Sequence, residues 1–214
     1  MYKLNYKTLE GDREINMVNQ WDEVTISQFI QIQQIVGANI SDTYKSVNLI
    51  SVLTGMPVDE LESLNVNVYS RLNNQLNFLQ TQIPKVTHKD VYEVNGTKYI
   101  LKADLTQIST AQYIDYQTYI KENDPIKLTS VWLIPEGCSY NDGSYNLNKV
   151  WGDISQMKLV DIQAISFFFK KQLAAFILIM KDSSKKRMKK EKKSKAEIRQ
   201  METHYNNMAS CLLL

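Results

Sequence analysis

The run AISFFFKKQLAAFILIM, residues 164–180, decides the fold, because it is either a membrane span or the core helix of a folded domain. Lys170, Lys171 and Gln172 interrupt it. A lysine held at a bilayer centre costs roughly 2.5–3.5 kcal/mol. The apolar pieces on either side are each too short to cross a hydrocarbon core. The sequence therefore predicts a deeply buried helix from about Met157 to Met180, with a narrow polar stripe of Gln163, Ser166 and Lys170. A helix that is apolar around most of its girth must be covered on most sides. In a chain of 214 residues, part of that cover is expected from a neighbouring subunit.

Working outward, the rest of the chain also reads as helical. It has only 7 Gly and 4 Pro, which disfavours a many-stranded sandwich. Its two cysteines, Cys138 and Cys211, give neither a disulfide framework nor a zinc ligand set, so a reducing compartment is expected. The first residues, MYKLNYKTLEGDREINM, lack the apolar core of a signal peptide and read as an N-terminal extension, residues 1–19.

In WDEVTISQFIQIQQIVG, residues 21–37, Thr25 and Gln28 form a capping box, with Val24 and Phe29 at the staple positions. Ile26, Phe29, Ile32 and Val36 give the apolar side, and Gly37 a stop. A second helix reads from Asp42 to Thr54 and ends at Gly55. Pro57 opens a short third, and Val68, Leu72, Leu76 and Leu79 stripe a fourth. These make a helical subdomain, residues 20–84.

Residues 85–182 are expected to form a core of one hairpin plus helices. Asn95-Gly96 is a two-residue turn that pairs Val94 with Thr97, Glu93 with Lys98 and Tyr92 with Tyr99. Ser109 and Gln112 form a second capping box, with Ile108 and Tyr113 as staple. ISTAQYI echoes VTISQFI 84 residues earlier, either as reused cap chemistry or as an internal duplication. A helix reads from about Asp124 through KLTSVWLI to Pro135, then a turn-rich loop, PEGCSYNDGSYN, with Trp151-Gly152-Asp153 as a further turn.

Charge divides sharply. Residues 181–199 hold ten Lys/Arg against three Asp/Glu, whereas the remainder holds fifteen against twenty. An acidic body with an extended basic arm that ends in an amphipathic helix, residues 183–214, suggests a polyanionic or acidic partner. Lys185, Lys186, Arg187, Lys189, Lys190, Lys192, Lys193 and Lys195 are the candidate contacts. Ser194 and Glu197 then open a terminal helix, whose Ile198, Met201, Tyr205, Met208 and Leu212 recur at heptad spacing. With Leu213, Leu214, Phe176 and Ile179, these are the candidate subunit-interface residues.

Three readings compete for this arm. Cys211-Leu-Leu-Leu matches a prenylation box, which would make a lipid-anchored peripheral protein, but the lysine run ends well before the cysteine. The lysines could contact DNA or RNA phosphate without sequence preference. The third and favoured reading is a solvated helical face or linker whose apolar end docks into a groove on the next subunit.

Catalytic motifs are lacking. His88 and His204 stand outside any HExxH spacing, and no phosphate loop, GxGxxG or GxSxG occurs. No enzyme activity, metal or cofactor is expected. Of the twelve tyrosines, many cluster between residues 92 and 145, a composition shared by packed hairpins and by interfaces.

WDEVTISQFIQIQQI, VNLISVLTGMPVDELESLNVNVYSRLNNQLNFL and VNGTKYILKADLTQISTAQYIDYQTYI together resemble virion or morphogenesis proteins of tailed double-stranded DNA phages, particularly the crAss-like phages of Bacteroides. The resemblance covers roughly residues 20–180 and carries no catalytic residue. It implies a non-enzymatic structural protein that forms an oligomeric ring at the head–tail junction. Its partners would be copies of itself, portal and tail proteins, with no membrane anchor; non-specific contact with DNA is an expectation read from the lysine run. It would be assembled in the bacterial cytoplasm and kept in the virion. The alternative it implies is a tail-assembly chaperone.

Overall fold

The computed structural model describes residues 1–8, 11–102, 104, 107–140 and 142–213; for residues 8, 176 and 207–213 it describes the backbone alone. The chain is mainly helical, with two small antiparallel sheets. It divides into two compact units, Met1–Thr87 with Asn148–Ile162, and His88–Leu147 with Gln163–Leu214.

Unit 1 opens with a hairpin where the sequence suggested only an extension. Strands β1 (Tyr2–Thr8) and β2 (Gly11–Met17) pair antiparallel, with Leu4 opposite Ile15 and Tyr2 opposite Met17. Leu4, Ile15 and Met17 are buried while Glu14 and Asn16 are exposed, so the period-2 pattern over the end of β2 gives one inner face. Helices α1 (Ile26–Gly37), α2 (Asp42–Thr54), α3 (Val58–Glu62) and α4 (Val66–Gln75) follow, the last tightening into a 3₁₀ turn over Leu76–Gln80. Both halves of the Thr25–Gln28 capping box are present. Gly55 ends α2 at φ +75°, which a side chain would resist. Val18 N–H donates to Leu53 O at 3.0 Å, tying the hairpin exit to α2. The Trp21 indole donates to Thr81 O at 3.0 Å, and its ring meets Phe78 edge-on at 5.3 Å.

A distant segment completes this unit. Residues 151–153, expected as a turn, lie inside α7 (Leu147–Ser155). Asp153 is buried there and paired with Lys149 one turn earlier at 3.1 Å. The i,i+4 pair and the buried Val150 and Ile154 make a helix of what looked like turn residues. Two bonds then lock the return: Ile26 N–H to Met157 O at 2.9 Å and Leu159 N–H to Val24 O at 2.8 Å. Leu4, Ile50, Leu72 and Ile154 are fully buried. Each such aliphatic side chain contributes about 1.5–3 kcal/mol.

Unit 2 is built on a three-stranded sheet. β3 (Val91–Val94) and β4 (Thr97–Leu101) pair in the register read from the sequence, Val94 with Thr97 and Tyr92 with Tyr99. Asn95 and Gly96 take φ +50° and +74°. α5 (Thr110–Glu122) starts at its Ser109–Gln112 box. The next helix is shorter than expected: α6 (Pro125–Ser130) stops, and Leu133–Pro135 becomes strand β5 on β4. Val131, Trp132, Leu133 and Ile134 are all buried. β-Branched and aromatic side chains with such cover favour a strand over another helical turn.

The long helix α8 (Leu159–Lys190) begins two residues later than expected and runs ten further, through half of the basic run. Deep burial holds only for part of it. Phe169 stacks on Trp132 at 4.2 Å with 17° between planes, whereas Phe167, Leu178, Ile179 and Met180 are exposed. Only 35% of its most apolar 18-residue window is buried, and by length and composition alone the helix is long enough to cross a membrane. α9 (Lys195–Leu213) follows.

Tyr140 Oη donates to Asp115 Oδ2 at 2.7 Å. Burial, then that bond and the carboxylate charge, push the phenol far above its ordinary value. A raised folded-state value favours the protonated form, so the stabilisation is complete below about pH 10 and lost as pH rises beyond it. Unfolding titrations should therefore show stability falling above about pH 10, with Tyr140→Phe removing that part of the slope. An unchanged slope would show that the pair does not contribute.

The C-terminal helical hairpin as a candidate interaction surface

Helices α8 and α9 pair antiparallel within unit 2. Lysine, arginine and methionine continue α8 readily past Met180, and neither glycine nor proline occurs before Lys190 to stop it. A Schellman arrangement then ends it: Lys193 N–H donates to Met188 O at 3.0 Å and Lys192 N–H to Lys189 O at 3.2 Å. Ser194 caps α9 and Glu197 closes the box, with Ser194 Oγ accepting from Glu197 N–H at 3.2 Å.

Across the hairpin, Lys185 Nζ meets Glu202 at 2.7 Å, Lys181 Nζ donates to Asn206 Oδ1 at 3.1 Å, and Ser184 and Tyr205 share a hydroxyl bond at 3.3 Å. The hydrogen bond between Lys185 and Glu202 raises the lysine's pKa and lowers the carboxyl's. Tyr205 and Leu173 pack on the buried Ala174 and Ile177. The sequence carried these partners in its residue types, but the α8–α9 register is a tertiary fact.

The candidate residues separate by position. Tyr205 rests on its own chain, while Ile198 and Met201 are half-buried. Ile179 is 61% exposed. Met208, Leu212 and Leu213 lie on α9, and Phe176 on α8, without described side chains; Leu214 lies outside the described residues. Arg187 pairs with Glu191 at 3.1 Å and Lys193 with Glu197 at 3.5 Å. Lys186, Lys189, Lys190, Lys192 and Lys195 are exposed around the turn.

The arrangement offers two recognition features in tandem along α8. One is the apolar group Leu178, Ile179 and Met180; the other is the cationic turn. Phe167, although exposed, lies beneath the Lys171 ammonium, 4.5 Å from the ring centroid. Among the described residues no group of three or more His, Cys, Asp or Glu is placed to hold a metal ion. No protein-family model, curated protein or solved structure matches the chain.

Proposed function

We propose that this chain is a non-enzymatic structural protein of a tailed phage virion, a helical subunit that closes into a ring at the head–tail junction beside the portal. The supporting observation is the apolar group on α8: Leu178, Ile179 and Met180 are 42%, 61% and 42% exposed. As successive helix residues they spread over about 200° of the helix girth, and apolar surface left in water to that extent marks an interaction site. Covering them returns roughly 25 cal/mol per Å². A repeated copy of the same subunit is the simplest cover, and a ring supplies it to every copy. The phage setting rests on the resemblance of residues 20–180.

Light scattering after size exclusion should give a defined oligomer for the full chain. Ile179→Asp should reduce it to a monomer with unchanged circular dichroism, because the residue already faces solvent. A wild-type chain that stays monomeric at high concentration would sink the ring.

One observation favours a second reading, the tail-assembly chaperone. Tyr205 has a seat on Ala174 and Ile177 of its own chain, so α9 need not reach a neighbour. The apolar group could then hold a client transiently. Mass spectrometry of purified virions separates the two: a ring subunit is present at fixed copy number, and a chaperone is absent.

A further inference from the structure

The turn between α8 and α9 carries cations where helix physics selects other residues. The Schellman arrangement needs a left-handed residue after the cap, and glycine usually supplies it. Here that residue is Lys192, at φ +55°, whose Cβ makes the conformation costly. Lys195 takes the first position of α9, where the positive end of the helix dipole repels a cation. Lys190, by contrast, sits in the last turn of α8, which the dipole favours. Helix stability therefore does not account for Lys192 or Lys195.

The surrounding charges sort into paired and available. Lys185, Arg187 and Lys193 face Glu202, Glu191 and Glu197. Lys189 lies in the field of Glu202. Among the described residues, no carboxylate is paired with Lys186, Lys190, Lys192 or Lys195, and all four are exposed. Residues 185–197 include no aromatic ring on which unpaired bases would stack. Met188 and Ala196 are too little apolar surface to enter a lipid interface. What is left is a hydrogen-bonded helical turn bearing ammonium groups. Lys186 and Lys190 are about 6 Å apart along the helix axis, a span over which duplex DNA presents between three and four phosphate charges, at one per about 1.7 Å.

We propose that the α8–α9 turn binds the phosphate backbone of double-stranded DNA, without reading its sequence, through Lys186, Lys190, Lys192 and Lys195. The inference stands apart from the ring, since a monomer would bind in the same way.

Fluorescence anisotropy of the full chain with a labelled random-sequence duplex tests it. Four phosphate contacts give a log–log salt slope of about −3.6, or about a hundredfold weaker binding when salt rises fourfold. Lys192→Gly is the informative variant. It should flatten the slope by about 0.9 and weaken binding, while raising the thermal midpoint because glycine relaxes the left-handed position. A combined Lys-to-Gln variant at all four positions, checked by circular dichroism, should lose nearly all salt-dependent binding. No duplex binding at low salt, or an unchanged slope in both variants, would overturn the proposal. Flotation with phosphatidylserine vesicles without duplex binding would also overturn it and assign the charges to lipid.

Discussion

Trp132→Ala lowers the unfolding free energy of unit 2 by about 3–5 kcal/mol, the range for emptying a buried aromatic site. Trp132 is 4% exposed. Its ring stacks on Phe169 of α8 at 4.2 Å and meets Tyr116 of α5 edge-on at 5.5 Å. Each aromatic pair adds about 0.5–1.5 kcal/mol beyond its buried area. The backbone on either side is already committed, since Trp132 O accepts from Lys102 N–H at 2.9 Å and Leu133 pairs with Leu101. The strand therefore cannot slide to fill the void. Denaturant unfolding measures the loss. Trp132→Phe should recover about half of it, by keeping one ring on Phe169. A cost under about 1 kcal/mol would mean that the site collapses freely and that α8 is held by other contacts.

The second large effect belongs to a glutamine. Gln112 is buried, and its side chain joins two backbone groups. Its Oε1 accepts from Ser109 N–H at 3.1 Å, and its Nε2 donates to Val131 O at 3.1 Å; in return its own N–H donates to Ser109 Oγ at 3.1 Å. Gln112→Ala breaks the capping box, worth about 1 kcal/mol, and strands a buried carbonyl, worth about 1–3 kcal/mol more. The expected total is about 2–4 kcal/mol. Gln28 repeats the arrangement in unit 1, with bonds from Thr25 N–H at 3.0 Å and to Val52 O at 3.1 Å. Gln28 is only half-buried, so water can replace its partners. Gln28→Ala should cost about 1–2 kcal/mol. Equal losses at the two sites would show that burial does not set the scale.

These glutamines also mark the limit of what the sequence made legible. The boxes were readable because donor and acceptor lie three residues apart, and the echo between VTISQFI and ISTAQYI was visible as a string. The third bond was not, since Val52 and Val131 are chosen by how the next helix docks. The hairpin at Asn95-Gly96 was readable for the same local reason. Strand β5 was not, because Leu133 finds its partner Leu101 through the sheet, and SVWLI alone serves a helix equally well. The β1–β2 hairpin did leave a signal, the alternation of Tyr2, Leu4 and Tyr6, but no two-residue turn announced it.

Within the candidate surface, residue types located the cations, but the extended arm expected over residues 183–214 is helical as far as Lys190, because lysine, arginine and methionine continue α8 with no glycine or proline to stop it. Which lysines are paired, and which apolar residues of α8 stay wet, depended on α9 folding back. No local pattern carries that.

The sheet of unit 2 has one further consequence. One of its two outer strands, β5, spans three residues and closes on Pro135, which has no amide hydrogen to lend. A foreign strand arriving there finds too few donors to continue the ladder. Fibril-like growth is blocked along that edge.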